Sequence, residues 1–176
     1  RNIKYIENNL QNLLKEGCYP KKFIFPITIQ FELTGRCNLK CKHCYNRSGD
    51  SDRVTRMTPE EWCKFAKYLV KNGGIFQCIL SGGEPLLLGD KLFDIMDILD
   101  KDGTSFVIIT NGLLLTNTIV KRLANYRYYW FQISLDGVDA ETHDSFRGLK
   151  GSWIHAVQGA INVSNAGMPL VIAHTV

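Results

Sequence analysis

Apolar runs rich in β-branched and aromatic residues alternate along this chain with amphipathic stretches of helix length. The apolar runs predict five strands, at residues 26–33, 76–80, 105–110, 130–135 and 170–176. The amphipathic stretches predict four intervening helices, at residues 58–72, 89–101, 116–125 and 152–166. Another amphipathic helix is expected before the first strand, at residues 3–16. Strands and helices in this order predict right-handed βαβ units and a parallel sheet.

The predicted helix starts are marked by polar residues that can accept hydrogen bonds from exposed backbone N–H groups. Thr58 stands before a proline and two glutamates, which is typical of a first helical turn. Thr116 and Ser152 stand at the starts of the third and fourth helices. We therefore expect these three residues to be N-caps.

The unusual segments of the chain all follow predicted strands. Glycine-containing turns follow three of them, at Gly82-Gly83, Gly112 and Gly137, and a cysteine-rich segment follows the first. The sheet could be an open doubly wound sheet or one wall of a (β/α) barrel. In both architectures ligands bind at the carboxyl edge of the strands. We expect the functional residues at that edge.

Composition places the chain among ordinary globular domains. Of 176 residues, 45% are hydrophobic and 22% charged, and the formal net charge is +4. No apolar run approaches membrane-spanning length and the first residues lack the apolar core of a signal peptide, so a cytoplasmic protein without a membrane partner is expected. Basic residues near the cysteines favour a collar around an anionic cofactor over a nucleic-acid surface. They are Arg36, Lys40, Lys42 and Arg47.

Three of the six cysteines form a motif with the spacing C-x3-C-x2-C, at Cys37, Cys41 and Cys44. In a cytoplasmic protein such clustering points to a metal rather than to disulfides. One alternative is a structural zinc site, with His43 or a distant side chain as the fourth ligand. The other is an iron–sulfur cluster in which three thiolates leave one iron open. Cys63 and Cys78 are expected to be buried apolar residues, and Cys18 is undecided.

The cysteine motif, the strand before it and the aromatic Tyr45 directly after it resemble the radical S-adenosylmethionine (radical SAM) superfamily. This resemblance implies a partial (β/α) barrel of the TIM-like type, here truncated after about the fifth strand. It also implies a [4Fe–4S] cluster held by Cys37, Cys41 and Cys44, with SAM on the open iron. In that family an electron from the cluster cleaves SAM, and the resulting 5′-deoxyadenosyl radical abstracts hydrogen from the substrate.

Three further motifs carry the same resemblance, although each could also be a plain turn. They are GGEP after the second strand, TNG after the third, and the segment from Ser134 to Arg147 after the fourth. The family pattern places Glu84 at the amino group of SAM, Ser134 near the ribose and Arg147 near the carboxylate. Arg147 could instead pair with Asp144 alone. The implied cofactor-binding residues are Tyr45, Gly82, Gly83, Glu84, Asn111, Ser134, Asp136 and Arg147, with Thr110 as a secondary candidate.

The pattern HD…R at His143, Asp144 and Arg147 looks most like the SPASM/twitch branch of the superfamily. That resemblance implies a peptide or protein substrate, crosslinked or oxidised, and an external one-electron donor of the flavodoxin or ferredoxin type. A tetrapyrrole or another small precursor is the alternative substrate. An iron–sulfur electron carrier and a zinc-binding module are the alternatives from other functional classes.

We divide the chain into a lead-in at residues 1–25 and a core domain at residues 26–176. The fifth predicted strand ends the sequence without a covering helix, so we expect the core to be incomplete at its C-terminus. By itself such a piece is expected to perform the full reaction poorly.

Overall fold

The computed structural model describes residues 11–12, 15–16, 26–50 and 57–175. The helix predicted at residues 3–16 and Cys18 lie largely or wholly outside them. These described residues contain five strands: β1 (Thr28–Glu32), β2 (Gln77–Ser81), β3 (Ser105–Thr110), β4 (Tyr128–Ser134) and β5 (Leu170–Ala173). Five α-helices cross between them: α1 (Pro59–Lys71), α2 (Asp90–Asp100), α3 (Asn117–Leu123), α4 (Ala140–Arg147) and α5 (Ser152–Asn165). A 3-10 helix, Pro85–Leu88, precedes α2.

The strand order is β1-β2-β3-β4-β5, and every neighbouring pair is parallel. Each crossover therefore advances the chain by one strand in the same direction, and crossovers of the usual right hand then place the helices on one face of the sheet. In a doubly wound sheet the order would reverse at a switch point. The consecutive order is that of a barrel wall, so the predicted partial (β/α) barrel is confirmed.

The core lies between the sheet and its helices. Alternate strand residues such as Phe31, Phe106 and Phe131 are fully buried on this face, because successive side chains of a strand point to opposite sides. Phe31 of β1 stacks on Trp62 of α1 with ring centroids 4.8 Å apart. Helix α2 adds a run of fully buried side chains that includes Phe93. This packing fixes the sheet and thereby the positions of the strand ends.

Helix α4 was not among the predicted elements. Its signals are Asp139, whose side chain accepts a hydrogen bond from Thr142 N (2.8 Å), and Gly148, which ends the helix with a left-handed φ of 74°. At eight residues the helix is short, and its polar sequence lacks a wide apolar face. It matters because it carries Arg147 to the carboxyl edge of the sheet.

Two of the three predicted N-caps are confirmed, and one prediction is wrong. Thr58 and Glu61 exchange hydrogen bonds in a capping box, and Thr116 caps α3. Ser152 lies inside α5, and the cap residue before it is Gly151. The carboxylate of Asp144 in α4 performs the capping role instead. It accepts hydrogen bonds from Gly151 N (2.5 Å), Ser152 Oγ (2.8 Å) and Trp153 N (2.8 Å).

The cysteines outside the motif pack as expected at one position and less fully at the other. Cys78 of β2 is completely buried, whereas Cys63 of α1 is half-buried against the core. Across the described ranges, none of the helices combines the length and the apolar character that a membrane crossing requires.

Candidate cofactor-binding site

The cysteine loop, residues 33–50, connects β1 towards α1 and carries the three motif cysteines. Backbone hydrogen bonds hold it on two sides. Gly83 N, after β2, donates to Thr34 O (2.6 Å), and Lys42 N donates to Phe146 O of α4 (3.0 Å). The loop is therefore positioned by segments that are distant in sequence.

A cleft that is open to solvent lies at the carboxyl edge of the sheet, between the cysteine loop, the strand ends and α4. Nine of the predicted site residues line it: Cys37, Cys41, Cys44, Tyr45, Gly82, Gly83, Asn111, Ser134 and Arg147. The other two, Glu84 and Asp136, do not line it and are buried beside lining residues. The structure thus brings most of the predicted site together in one place.

The glycine pair is required by the approach of two backbones. A Cβ at Gly83 would stand 2.0 Å from Arg36 O, and a Cβ at Gly82 would stand 2.6 Å from Thr34 O. Gly82 also has a φ of 139°, which residues with a side chain rarely adopt. Any larger residue would therefore push the cysteine loop away from the sheet. The cleft-lining backbone after β2 depends on this contact.

Glu84 has no exposed surface, and its carboxylate accepts three hydrogen bonds from the protein. The donors are Leu86 N (3.1 Å), Thr110 Oγ1 (2.8 Å) and Asn111 N (2.9 Å). Burial raises the pKa of Glu84 to about 7, although all three hydrogen bonds act to lower it. The carboxylate joins the GGEP and TNG motifs, so its first role is to hold the ends of β2 and β3 in register. Its predicted contact with a cofactor stays a prediction.

Asn111 connects this carboxylate to the cysteine loop. Its side-chain Nδ2 donates to Asn38 Oδ1 (2.7 Å) and lies 3.9 Å from Cys37 Sγ. Cys37 Sγ also accepts a hydrogen bond from Leu39 N (3.4 Å). The sulfur of Cys37 is therefore surrounded by neutral N–H donors. Asn38 takes part in this hydrogen-bond network, although its sequence position gave no sign of a role in the site.

Arg147 is only 7% exposed and joins α4 to the cysteine loop through its guanidinium group. Its Nη1 donates to Cys41 Sγ (3.6 Å), and its Nη2 lies 2.5 Å from Asp136 Oδ2. The partner of Arg147 is thus Asp136, because Asp144 is used to cap α5. The predicted contact of Arg147 with a cofactor carboxylate stays a prediction.

Asp136 is 2% exposed and is itself fixed by the backbone. Its Oδ1 accepts from Thr175 N (2.8 Å), and its own N–H donates to His143 Nδ1 (3.1 Å). Burial alone would raise the pKa of this carboxyl, but the hydrogen bond from Thr175 and the charge of Arg147 hold the pKa below its ordinary value. His143 is buried in α4 and holds the backbone of Asp136 in place. It belongs to the HD…R pattern, but the sequence alone gave it no role.

The electrostatics of the thiols follow from the same contacts. Burial raises the pKa of the Cys37 and Cys41 thiols above the ordinary value. The hydrogen bond from Leu39 N on Cys37 and the guanidinium of Arg147 on Cys41 partly offset that effect. Binding of a metal by these residues would therefore displace protons from both sulfurs.

Tyr45 and Ser134 define two further margins of the cleft. Tyr45 is 86% exposed, and its hydroxyl donates to Glu32 Oε1 of β1 (3.3 Å). Ser134 ends β4 and pairs with Ala173 of β5. Both positions suit contacts with a ligand that lies across the strand ends, in agreement with the expected edge of the sheet.

The donor set fits an iron–sulfur cluster. The three thiols surround one cleft, and within residues 26–50 and 57–175 no three His, Cys, Asp or Glu side chains converge on a position for one metal ion. In a cluster each thiolate binds an iron of its own, so three spread thiols can hold three irons and leave a fourth for another ligand.

Comparison with known proteins agrees with this chemistry. The model of the radical SAM superfamily matches residues 31–176. The chain is 38% identical over 151 residues to the AdoMet-dependent heme synthase of Methanosarcina barkeri, covering 86% of this chain and 43% of that protein. It is 35% identical over 156 residues to the antilisterial bacteriocin subtilosin biosynthesis protein AlbA of Bacillus subtilis. That match covers 88% of this chain and 34% of AlbA. The chain therefore spans less than half the length of these relatives.

Solved structures give the same fold. The structure of anSMEcpe with bound AdoMet superposes with a TM-score of 0.69 at 23% identity, covering 84% of this chain and 43% of that one. Enzymes of the matched superfamily use a [4Fe–4S] cluster and SAM. The match extends over most of the described residues, and it includes the whole cysteine loop from Leu33 onwards. This chain belongs to the radical SAM superfamily.

Proposed function

We propose that this chain is the core of a radical SAM enzyme that modifies a peptide or protein. One observation carries the proposal: three cysteines of one loop meet the ends of β2, β3 and β4 at a single open cleft. When bound there, a [4Fe–4S] cluster and SAM supply an electron and a 5′-deoxyadenosyl radical that takes a hydrogen atom from the substrate.

The residues of the chain have distinct proposed roles. Cys37, Cys41 and Cys44 hold the cluster. Polar contacts with SAM are assigned to the backbone of Gly82 and Gly83 and to the side chains of Asn111, Ser134 and Arg147. Tyr45 covers the outer side of SAM. The buried carboxylates of Glu84 and Asp136 position these groups from behind. Oε1 of Glu84 accepts two of its three protein donors and Oε2 accepts one, so a direct bond to SAM would use the remaining acceptor position of Oε2.

A peptide or protein substrate is supported by the relatives and by the strands. AlbA takes part in the biosynthesis of a bacteriocin, and anSMEcpe has also been solved with AdoMet and the Cp18Cys peptide bound. None of the five strands, β1 to β5, contains a lysine or an arginine. A wall of this composition suits the neutral amides and apolar side chains of a peptide.

A tetrapyrrole is the second candidate substrate, because one relative with 38% identity is a heme synthase. The carboxylates of a tetrapyrrole are best bound by guanidinium groups. The strands offer none, and the one guanidinium among the residues that line the cleft, that of Arg147, pairs with Asp136 and is already assigned to SAM. The described part of the site therefore favours the peptide.

The remaining partners are proposed from the surface around the cleft. Arg36, Lys40, Lys42 and Arg47 are exposed on the cysteine loop. This basic surface suits the docking of an acidic one-electron donor such as a flavodoxin or ferredoxin. The proposed location is the reducing cytoplasm, where cysteine thiols stay free of disulfides and such electron donors are found.

Anaerobic reconstitution with iron and sulfide tests the proposal. We expect Cys37→Ala, Cys41→Ala and Cys44→Ala each to abolish the cluster, measured as bound iron, bound sulfide and the visible absorption band. Cys63→Ala is the matched control, because Cys63 is half-buried on α1, and it should retain the cluster. A triplet variant with full iron and sulfide would refute the assignment.

Addition of SAM and dithionite separates the functional classes. An enzyme core should show a changed electron paramagnetic resonance spectrum with SAM and should release 5′-deoxyadenosine. A cluster whose spectrum does not change with SAM would indicate an electron carrier. Bound zinc without sulfide would indicate a binding module.

A further inference from the structure

We infer that Arg147 raises the reduction potential of the cluster by donating a charged hydrogen bond to the sulfur of Cys41, and that Asp136 is the positioning residue that aims the guanidinium. The inference rests on the proposed function in one respect, namely that the three cysteines hold a [4Fe–4S] cluster. It assigns Arg147 a function that does not depend on SAM.

The first support is the geometry of the guanidinium. Its Nη1 is 3.6 Å from Cys41 Sγ while Nη2 is 2.5 Å from the Asp136 carboxylate. A planar guanidinium has donors on both ends, so it can bind a carboxylate on one side and a sulfur on the other. The pair therefore presents its positive end to the thiol.

The second support is the rigidity and burial of this arrangement. Arg147 is 7% exposed, and Asp136 is 2% exposed. Asp136 is fixed by Thr175 N at one oxygen and by the contact of its own N–H with His143. Bulk water therefore screens the charge of Arg147 poorly, and the guanidinium has a fixed anchor behind it.

The third support is the contrast with Cys37. The hydrogen-bond donors at that sulfur, Leu39 N and Asn111 Nδ2, are neutral. Charged donors form stronger hydrogen bonds than neutral ones. Removal of the charge of Arg147, which contacts Cys41, should therefore change the reduction potential more than removal of a neutral donor at Cys37.

The effect on the cluster has a definite sign. Reduction adds one electron, so the reduced cluster is the more negative state. A positive charge and an N–H donor at a ligand sulfur stabilise that state, and hydrogen bonds to the sulfurs and nearby net charge are known determinants of cluster potential. Loss of the Arg147 charge should therefore make the cluster harder to reduce.

The test is a redox titration of the anaerobically reconstituted protein without SAM, monitored by electron paramagnetic resonance. We expect Arg147→Gln to lower the potential so that the ratio of reduced to oxidised cluster at a fixed potential falls about tenfold, which corresponds to about 59 mV for one electron. Arg147→Lys should give a smaller shift, because the ammonium group keeps the positive charge but lacks the planar fork that spans Asp136 and Cys41. An unchanged or raised potential in Arg147→Gln would overturn the inference.

Lys42→Gln is the matched control. Lys42 follows Cys41 directly and carries the same charge, but it is exposed and its ammonium group lies near Ser145 Oγ (3.4 Å). The loss of a solvent-screened charge should leave the potential within the error of the titration. A shift as large as that of Arg147→Gln would show that net charge, and not the hydrogen bond, sets the potential.

A second measurement does not depend on a stable Arg147→Gln variant. The protein is labelled with ¹⁵N-arginine, reconstituted and reduced without SAM, and pulsed electron paramagnetic resonance records nuclear couplings to the cluster. We expect a ¹⁵N coupling that is absent in labelled Arg147→Lys. Its absence from the parent protein would overturn the inference while the cluster assignment stands. Failure to form any cluster would instead remove the proposed function and this inference with it.

Discussion

Glu84 and Asp136 are both buried carboxylates placed directly behind residues of the same cleft, but they have opposite charge preferences. Glu84 is surrounded by neutral donors, and its pKa is raised to about 7. Asp136 faces the guanidinium of Arg147, and its pKa is lowered. Burial disfavours the charged form at both positions, and only an opposite charge together with hydrogen bonding reverses that preference.

The difference is reflected in the structural roles of the two residues. Glu84 joins β2 to β3 through hydrogen bonds that a partly protonated carboxyl can still make. Asp136 anchors a charge that would otherwise be buried alone. The first carboxylate therefore acts as a clamp between strand ends, and the second is the counter-charge of the buried Arg147 guanidinium. Measurements on the metal-free protein isolate the contribution of these contacts.

The largest expected effect is that of Asp136→Asn. The substitution leaves the Arg147 guanidinium buried without its counter-charge, and breaking a buried pair in this way costs about 3–5 kcal/mol of unfolding free energy. Urea denaturation near neutral pH measures it. Asp90→Asn is the control, because Asp90 also pairs with an arginine but its side chain is 84% exposed. The control should lose no more than about 1 kcal/mol. Equal losses would show that Asp136 is no different from a surface partner.

The next effect is a pH dependence specific to Glu84. Between about pH 4.5 and pH 7 the folded state keeps a proton on Glu84 that the unfolded state has released. Folding stability from this group is therefore present at low pH and falls as the pH rises through that window. The rise of the Glu84 pKa from 4.5 to about 7 corresponds to a loss of unfolding free energy on the order of 3 kcal/mol across this window.

Comparison with Glu84→Gln isolates this dependence, because the amide does not titrate. His43 and His143 have lowered pKa values and contribute the opposite slope near pH 6, but their contribution is common to both proteins. The advantage of the parent protein over Glu84→Gln, measured by urea denaturation, should shrink from about pH 5 to about pH 8. An advantage that grows with pH would mean that Glu84 is stabilised as a carboxylate, as Asp136 is.

The smallest expected effect is that of Thr110→Val. It removes one of the three hydrogen-bond donors to Glu84 while nearly keeping the side-chain shape. We expect a loss of about 1 kcal/mol and a further rise of the pKa of Glu84, because a hydrogen bond to the charged form is lost. Thr110→Ser retains the hydroxyl and serves as the control. Stability curves against pH that coincide for the two variants would remove Thr110 from the clamp.

Much of the fold was predictable because its signals are local. Apolar periodicity placed all five strands within a few residues, and Thr58 and Thr116 marked helix starts by the capping chemistry of their side chains. Helix α4 was missed because it is short and polar, although Asp139 and Gly148 carry end signals. The assignment of Ser152 failed because the true capping group, Asp144, comes from the neighbouring helix.

The sequence by itself determined the family, the cysteine triplet and the edge of the sheet at which the site lies, because motif spacing and the order of strands and helices are properties of the chain. Only the tertiary structure decided what each buried charge faces. It buried Glu84 against Thr110 and Asn111, which line the cleft, and it paired Arg147 with Asp136 rather than with Asp144. Such choices depend on burial and on partners many residues away, since the free energy of a charge is set by its surroundings in space and not by its neighbours in sequence.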